Sequence, residues 1–154
     1  MKCLVLLVFV AFAAAQLSPQ EQVDSFLRKT TRGFDLPLDE VKDCVKTTNT
    51  TEEDLLYASD LQHDALKRFK RISCFLTCGF KKAGTFVGMK VNVPKVMEDI
   101  AKNGAPLPPD KEKRLRDDLN ACNAEVTEAN DECAAAYQLV ACFMNKTRPN
   151  RQLF

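Results

Sequence analysis

Six cysteines follow an N-terminal leader at the spacing Cys44–x29–Cys74–x3–Cys78–x43–Cys122–x10–Cys133–x8–Cys142, and no other feature constrains the fold as much. Placed on one helix, Cys74 and Cys78 are four residues apart, with β-carbons about 5–6 Å from each other. A disulfide needs about 3.5–4.5 Å, so these two side chains reach different elements. Cys133 and Cys142, nine residues apart, face opposite sides of a helix and lie about 13 Å apart along it. They also reach outward. Six cysteines allow 15 pairings. Removing every pairing that joins Cys74 to Cys78 or Cys133 to Cys142 leaves about ten, and helix geometry does not choose among them.

Residues 1–15 read as a signal peptide: Lys2 supplies the positive start, Leu4 to Phe12 the apolar stretch, and Ala13, Ala14 and Ala15 a small-residue cleavage site before Gln16. Cys3 leaves with that leader, so the mature chain keeps an even six cysteines. A secreted, extracellular and oxidising destination fits them. The 154-residue chain less its 15-residue leader is 139 residues, which suits one domain spanning 16–154. Without Lys2 the basic and acidic residues balance at 21 each. That balance argues against nucleic acid as a partner. No later stretch approaches the roughly 20 apolar residues of a membrane span. Asn49-Thr50-Thr51 and Asn145-Lys146-Thr147 are candidate N-glycosylation sites.

Helical patterns with caps fill the mature chain. Ser18-Pro19-Gln20-Glu21 forms a capping box ahead of a stripe at Val23, Phe26 and Leu27 that ends near Gly33. A short helix carries Val41, Cys44 and Val45, and Thr51 to Asp54 opens another through Tyr57. From about Asp60 to Lys82 a single long helix is expected, with Ala65, Phe69, Ile72, Leu76 and Phe80 as its apolar stripe. Val93, Val96, Met97, Ile100 and Ala101 follow the same period until Asn103-Gly104. After Pro106, Pro108 and Pro109 the next stripe is Leu115, Leu119 and Cys122. The last helix, about Glu128 to Lys146, is apolar nearly all round, which predicts a buried central position. Thr85-Phe86-Val87 and Lys90-Val91 are too short to predict a sheet. The expected class is all-α.

The six spacings together, with Cys133-Ala-Ala-Ala-Tyr137-Gln-Leu-Val-Ala-Cys142, resemble the insect odorant-binding (pheromone-binding) protein family over about Pro19 to Met144. The resemblance implies a compact bundle of about six helices around an apolar cavity. It also implies first–third, second–fifth and fourth–sixth cysteine pairing, here Cys44–Cys78, Cys74–Cys133 and Cys122–Cys142. The implied function is a secreted carrier, not an enzyme, that moves small hydrophobic odorants or pheromones through aqueous fluid without a cofactor. A membrane chemoreceptor is the implied receiving partner, and the chain is expected to be a monomer or weak dimer. Two rivals are a carrier of the same fold serving a non-olfactory fluid, and a secreted interaction or defence protein with no cavity.

Candidate ligand contacts are Phe69, Ile72, Leu76, Val96, Met97, Ile100, Leu115, Leu119, Tyr137, Val140 and Met144. Tyr137 and Gln138 are candidate hydrogen-bond partners for a ligand, and the terminal Leu153 and Phe154 are a candidate lid. His63-Asp64 lacks the neighbouring cysteines and glycine-rich calcium loop that a phospholipase A2 reading requires. His63 is also the only histidine, so it predicts no metal site and little response to pH above 5. Lys67, Arg68, Lys70 and Arg71 form a basic cluster, expected to be a solvated helix face.

Overall fold

The computed structural model describes residues 18–103, 107–127 and 129–147. Within them are eight helices: α1 (Pro19–Phe34), α2 (Leu38–Thr47), α3 (Glu52–Ser59), α4 (Ala65–Arg71), α5 (Ser73–Lys82), α6 (Val93–Asn103), α7 (Pro109–Glu125) and α8 (Glu132–Thr147). A two-residue hairpin, β1 (Phe86–Val87) and β2 (Lys90–Val91), joins α5 to α6. The fold is all-α, cross-linked by three disulfides. Among the described residues no helix is long and apolar enough to cross a membrane.

The caps read from the sequence are in place. The Ser18 backbone N–H donates to the Glu21 carboxylate at 2.7 Å, and the Ser18 hydroxyl accepts from the Glu21 N–H at 3.3 Å. Thr51 and Asp54 make the same reciprocal pair at the start of α3, at 3.0 and 3.1 Å. Asp54 also takes the Arg71 guanidinium, which ties α3 to the end of α4. Burial pushes the Asp54 carboxyl up, but hydrogen bonds from Thr51 and Arg71 together outweigh it and hold the group below its ordinary range.

Helix α1 runs one residue past Gly33, and Asp35 closes it in left-handed backbone (φ 54°) by donating its N–H to Thr31 O. The expected single helix from Asp60 to Lys82 is instead two. The Asp64 carboxylate accepts from the N–H groups of Leu66 (2.9 Å) and Lys67 (3.3 Å), so α4 starts only at Ala65. At Ile72 (φ −117°, ψ 23°) the chain leaves helical geometry, and its N–H reaches Phe69 O, one residue tighter than α-helical bonding. Ile72 is buried there, and α5 sets off from Ser73. Apolar periodicity does not register the break, because the stripe keeps its period across it.

Helix α8 begins at Glu132 and is not buried all round. Ala135, Ala136 and Leu139 are buried against α5, α7 and the hairpin, while Gln138 and Asn145 are exposed. The expected Glu128 start, the Gly104 stop and Pro106 lie outside the described residues.

The two short β-prone stretches do pair, Phe86 with Val91 and Val87 with Lys90, with Gly88 at φ 61° in the connection. What anchors so small a hairpin is Asn123 on α7. Its side chain accepts from the Val91 N–H and donates to the Val91 carbonyl, both at 2.9 Å, as a neighbouring strand would. Replacing Asn123 by Ala removes both bonds from a half-buried backbone. The expected loss is about 1–3 kcal/mol, read by denaturant unfolding; an unchanged midpoint would mean that packing alone holds the hairpin.

The disulfides are Cys44–Cys78, Cys74–Cys133 and Cys122–Cys142, with Cα separations of 5.6, 4.6 and 5.7 Å. They bridge α2–α5, α5–α8 and α7–α8, the same three pairs that the family resemblance implies. Beside each bond runs an ion pair between the same two helices: Lys82–Asp43 (2.9 Å), Lys81–Glu132 (2.6 Å) and Lys146–Glu125 (2.8 Å). Surface pairs of this kind add little energy, so the covalent bonds carry the bracing. The closed spans are 34, 59 and 20 residues, for which chain entropy gives about 3–4 kcal/mol each. Peptide mapping of the unreduced protein should recover these three linkages. Replacing Cys74 and Cys133 together by Ser should cost the most, about 4 kcal/mol in equilibrium unfolding.

Candidate functional site

Among the described residues three apolar clusters make up the interior, the second and third bridged by Val91 and Phe143. One joins Val23, Leu27, Val41, Leu55, Ile72 and Phe75; a second centres on Phe86, Ala135, Ala136 and Leu139; the third is Val93, Met97 and Leu119. Between them, among the described residues, lie two apolar cavities, each partly open to solvent. The first, about 470 Å³, is walled by the C-terminal end of α1, by Phe80 of α5 and Ala83 just beyond it, by Phe86 and Val91 of the hairpin, by Val96 and Ile100 of α6, and by Val140 of α8. The second, about 460 Å³, lies among Phe26 of α1, Ala58 of α3, Phe69 of α4, Ile72, Leu76 of α5 and Met144 of α8. Each falls within the roughly 300–1,000 Å³ typical of small-molecule sites.

Gly33, Phe34 and Phe80 line both cavities. The Phe34 and Phe80 rings meet edge to face, with centroids 5.0 Å apart and planes at 80°. Phe34 can take this position because residue 79 is glycine: a Cβ there would lie 2.2 Å from the Phe34 ring. The partition between the cavities is therefore an aromatic pair seated on a gap in α5. In Gly79→Ala the helix gains about 1 kcal/mol of propensity but forces an overlap costing about 1–3 kcal/mol. A net loss of up to about 2 kcal/mol in denaturant unfolding is expected. A net gain of about 1 kcal/mol would mean that the ring swings away freely.

The polar groups in these walls are mostly committed. The Thr30 hydroxyl donates to Phe26 O (2.9 Å) and the Thr85 hydroxyl to Phe80 O (3.1 Å). Asp99 pairs with Lys95 at 2.7 Å, and that hydrogen bond holds the Lys95 ammonium above its ordinary range. Arg32 and Asp35 are exposed at the edge of the first cavity. Arg68 alone contradicts the expectation of a solvated basic face, since it lines the second cavity. The result is a pair of apolar spaces with few free polar groups, suited to holding an apolar molecule.

Of the candidate contacts, Val96, Ile100 and Val140 line the first cavity, and Phe69, Ile72, Leu76 and Met144 the second. Ala65, Phe69, Ile72, Leu76 and Phe80, the stripe read from periodicity, all face that second space. Met97, Leu115 and Leu119 are packed with Val93 and Phe143 in the third cluster and line neither cavity. Tyr137 is half-buried beneath the Lys70 ammonium, 5.9 Å from its ring centre, and Gln138 is exposed; neither reaches a cavity wall. Leu153 and Phe154 lie outside the described residues. Sequence reasoning missed Phe34, Phe86, Leu139 and Arg68 as wall residues. The α1 stripe extended by four and eight residues, from Phe26 through Thr30 to Phe34, carried a signal for the first of these.

His63 lies outside both cavities, stacked on Tyr57 (centroids 4.0 Å) and 3.6 Å from Asp60. Among the described residues no group of three His, Cys, Asp or Glu is placed to hold a metal ion.

A model of the PBP/GOBP family matches residues 38–146. Among curated proteins, the chain is similar to pheromone-binding protein Gp-9 of Solenopsis geminata, 25% identical over 143 residues that cover 88% of this chain and 84% of that protein. It is also similar to pheromone-binding protein Gp-9 of Solenopsis saevissima, 26% identical over 155 aligned positions covering 94% and 92%. No solved structure matches the chain significantly.

Proposed function

Because the chain belongs to the PBP/GOBP family, we propose that it is a carrier which binds small hydrophobic molecules, odorants or pheromones, and moves them through extracellular fluid. The carrying observation is the pair of apolar cavities, about 470 and 460 Å³, that open from the surface into a cross-linked helical frame. The names of the Gp-9 relatives support the ligand class. The cavities also weigh against the rival of a secreted interaction protein with no internal space. The role is binding, not catalysis: the threonine hydroxyls in the walls are tied to backbone carbonyls, and the lining is otherwise mainly aliphatic and aromatic.

In this reading residues 1–15 direct secretion and are removed, residues 16–154 act as one domain, and the carrier works as a monomer or weak dimer. Delivery to a membrane chemoreceptor is its final step. Asn49 and Asn145 are both exposed, which leaves each accessible to glycosylation.

A fluorescent apolar probe should bind near one-to-one and be displaced by long-chain alcohols, aldehydes and esters. Ligands of about ten to twenty heavy atoms reach micromolar affinity at about 0.4–0.8 kcal/mol per atom, which lies between the bounds for drug-sized and very small ligands. Absence of saturable binding by folded, monodisperse protein overturns the reading. Native mass spectrometry of protein from its source would catch a resident ligand.

The same assay run across pH tests the absence of an acid switch. The Asp54, Glu21 and Glu98 carboxyls are held below their ordinary range. A lowered carboxyl pKa contributes stability above the unfolded value and loses it as pH falls through the folded one. Those losses therefore come below about pH 4. Affinity should stay nearly constant from pH 7 to pH 5, and a steep fall in that interval would show a switch elsewhere.

A further inference from the structure

We propose that the second cavity takes an amphiphile with a carboxylate head, and that Arg68 recognises the head. This rests on the carrier reading and deepens it by assigning the ligand's polar end. Arg68 stands on α4 in the cavity wall, beside Ala65 and Phe69. One of its terminal nitrogens, Nη1, donates to Ala58 O at 3.3 Å. Its Nε–H is buried and has no hydrogen-bond partner. Among the described residues no carboxylate lies within ion-pair distance of it.

The neighbouring cations are arranged differently. Arg71 is held by Asp54 and Glu53, and Lys70 sits over the Tyr137 ring. Only Arg68 of this cluster lines a cavity, and it does so with a donor unused. The other polar side chain in that wall, Thr30, already donates to Phe26 O.

A guanidinium stays charged under all ordinary conditions. A buried N–H left without an acceptor is destabilising, and the half-buried Arg68 guanidinium has no counter-charge within ion-pair distance among the described residues. A carboxylate supplies the missing counter-charge and, once the guanidinium turns to present its buried Nε–H, an acceptor as well, and the guanidinium fork favours its planar geometry. An ester or aldehyde oxygen supplies only the acceptor. The remaining wall, with Phe26, Phe69, Ile72, Leu76 and Met144, suits an alkyl tail, and Met144 adapts to its shape.

The test uses the full mature chain and displacement of a phenylnaphthylamine probe by dodecanoic acid, methyl dodecanoate and dodecanol at pH 7. The acid should displace the probe at about tenfold lower concentration than its methyl ester or more, the range expected for a charge-assisted bond. Arg68→Met should weaken the acid about tenfold or more while leaving the ester within about twofold, and Arg68→Lys should retain part of the preference. Nitrogen NMR of the wild-type Arg68 Nε–H gives a readout that no variant's folding affects: the acid should shift this signal and the ester should shift it less. Equal displacement by acid and ester, with the probe bound normally, overturns the head-group assignment and leaves the carrier reading standing. A preference that survives Arg68→Met, or an Nε–H signal that the acid does not move, places the head elsewhere and also overturns it. Failure of the probe to bind at all sinks the carrier reading instead.

Discussion

Helices α5 and α8 each carry two cysteines, and this double tethering is the constraint on which the rest of the structure depends. The bonds Cys44–Cys78, Cys74–Cys133 and Cys122–Cys142 string α2, α5, α8 and α7 into one covalent chain. Two of the links meet on α5 four residues apart, so that helix is held from two sides and cannot rotate without straining both. The Cys74–Cys133 link brings α5 close to α8, with a Cα separation of 4.6 Å, and alanines at 135 and 136 are buried in the adjoining packing. The three parallel ion pairs repeat the same helix pairings at the surface and mark the same register.

Such bracing changes what the interior must do. A chain of this size ordinarily relies on continuous close packing, and unfilled space forgoes the dispersion contacts of the atoms around it. Here the apolar residues gather into three clusters with cavities between them. Cross-links that restrict the unfolded chain offset some of the packing that the cavities forgo. A ligand that fills them restores contacts and stabilises the folded state by an amount that grows with the logarithm of its concentration above its Kd. The Phe34–Phe80 pair decides how the space is divided, and it depends on the missing side chain of Gly79.

Much of the fold was legible because the signals were local. Ser18 and Thr51 announced their helices through reciprocal caps, and periods of three and four exposed the apolar faces of α4 to α7. The break at Ile72 was not legible, since the stripe from Ala65 to Phe80 runs through it without a change of period. The anchoring of β2 by Asn123 was equally hidden: an asparagine in a helix 32 residues away carries no mark of its partner. In the site, residues on α4 and α5 were found because both cavity wall and core require an apolar face. For the same reason Met97, Leu115 and Leu119 could not be told apart from wall residues; all three pack into a cluster instead.

By itself the sequence determined the class of the fold, the family and the demand that α5 and α8 reach several partners, because capping, periodicity and cysteine spacing act over a few residues along the chain. Which apolar side chains fill a core and which border a void depends on distances between helices that are remote in sequence. So does the position of Arg68, which reads as one more charge in a basic run yet stands in a cavity wall with an unpaired N–H. Only the tertiary structure could decide that, since burial and hydrogen-bond satisfaction are properties of the surroundings and not of the residue.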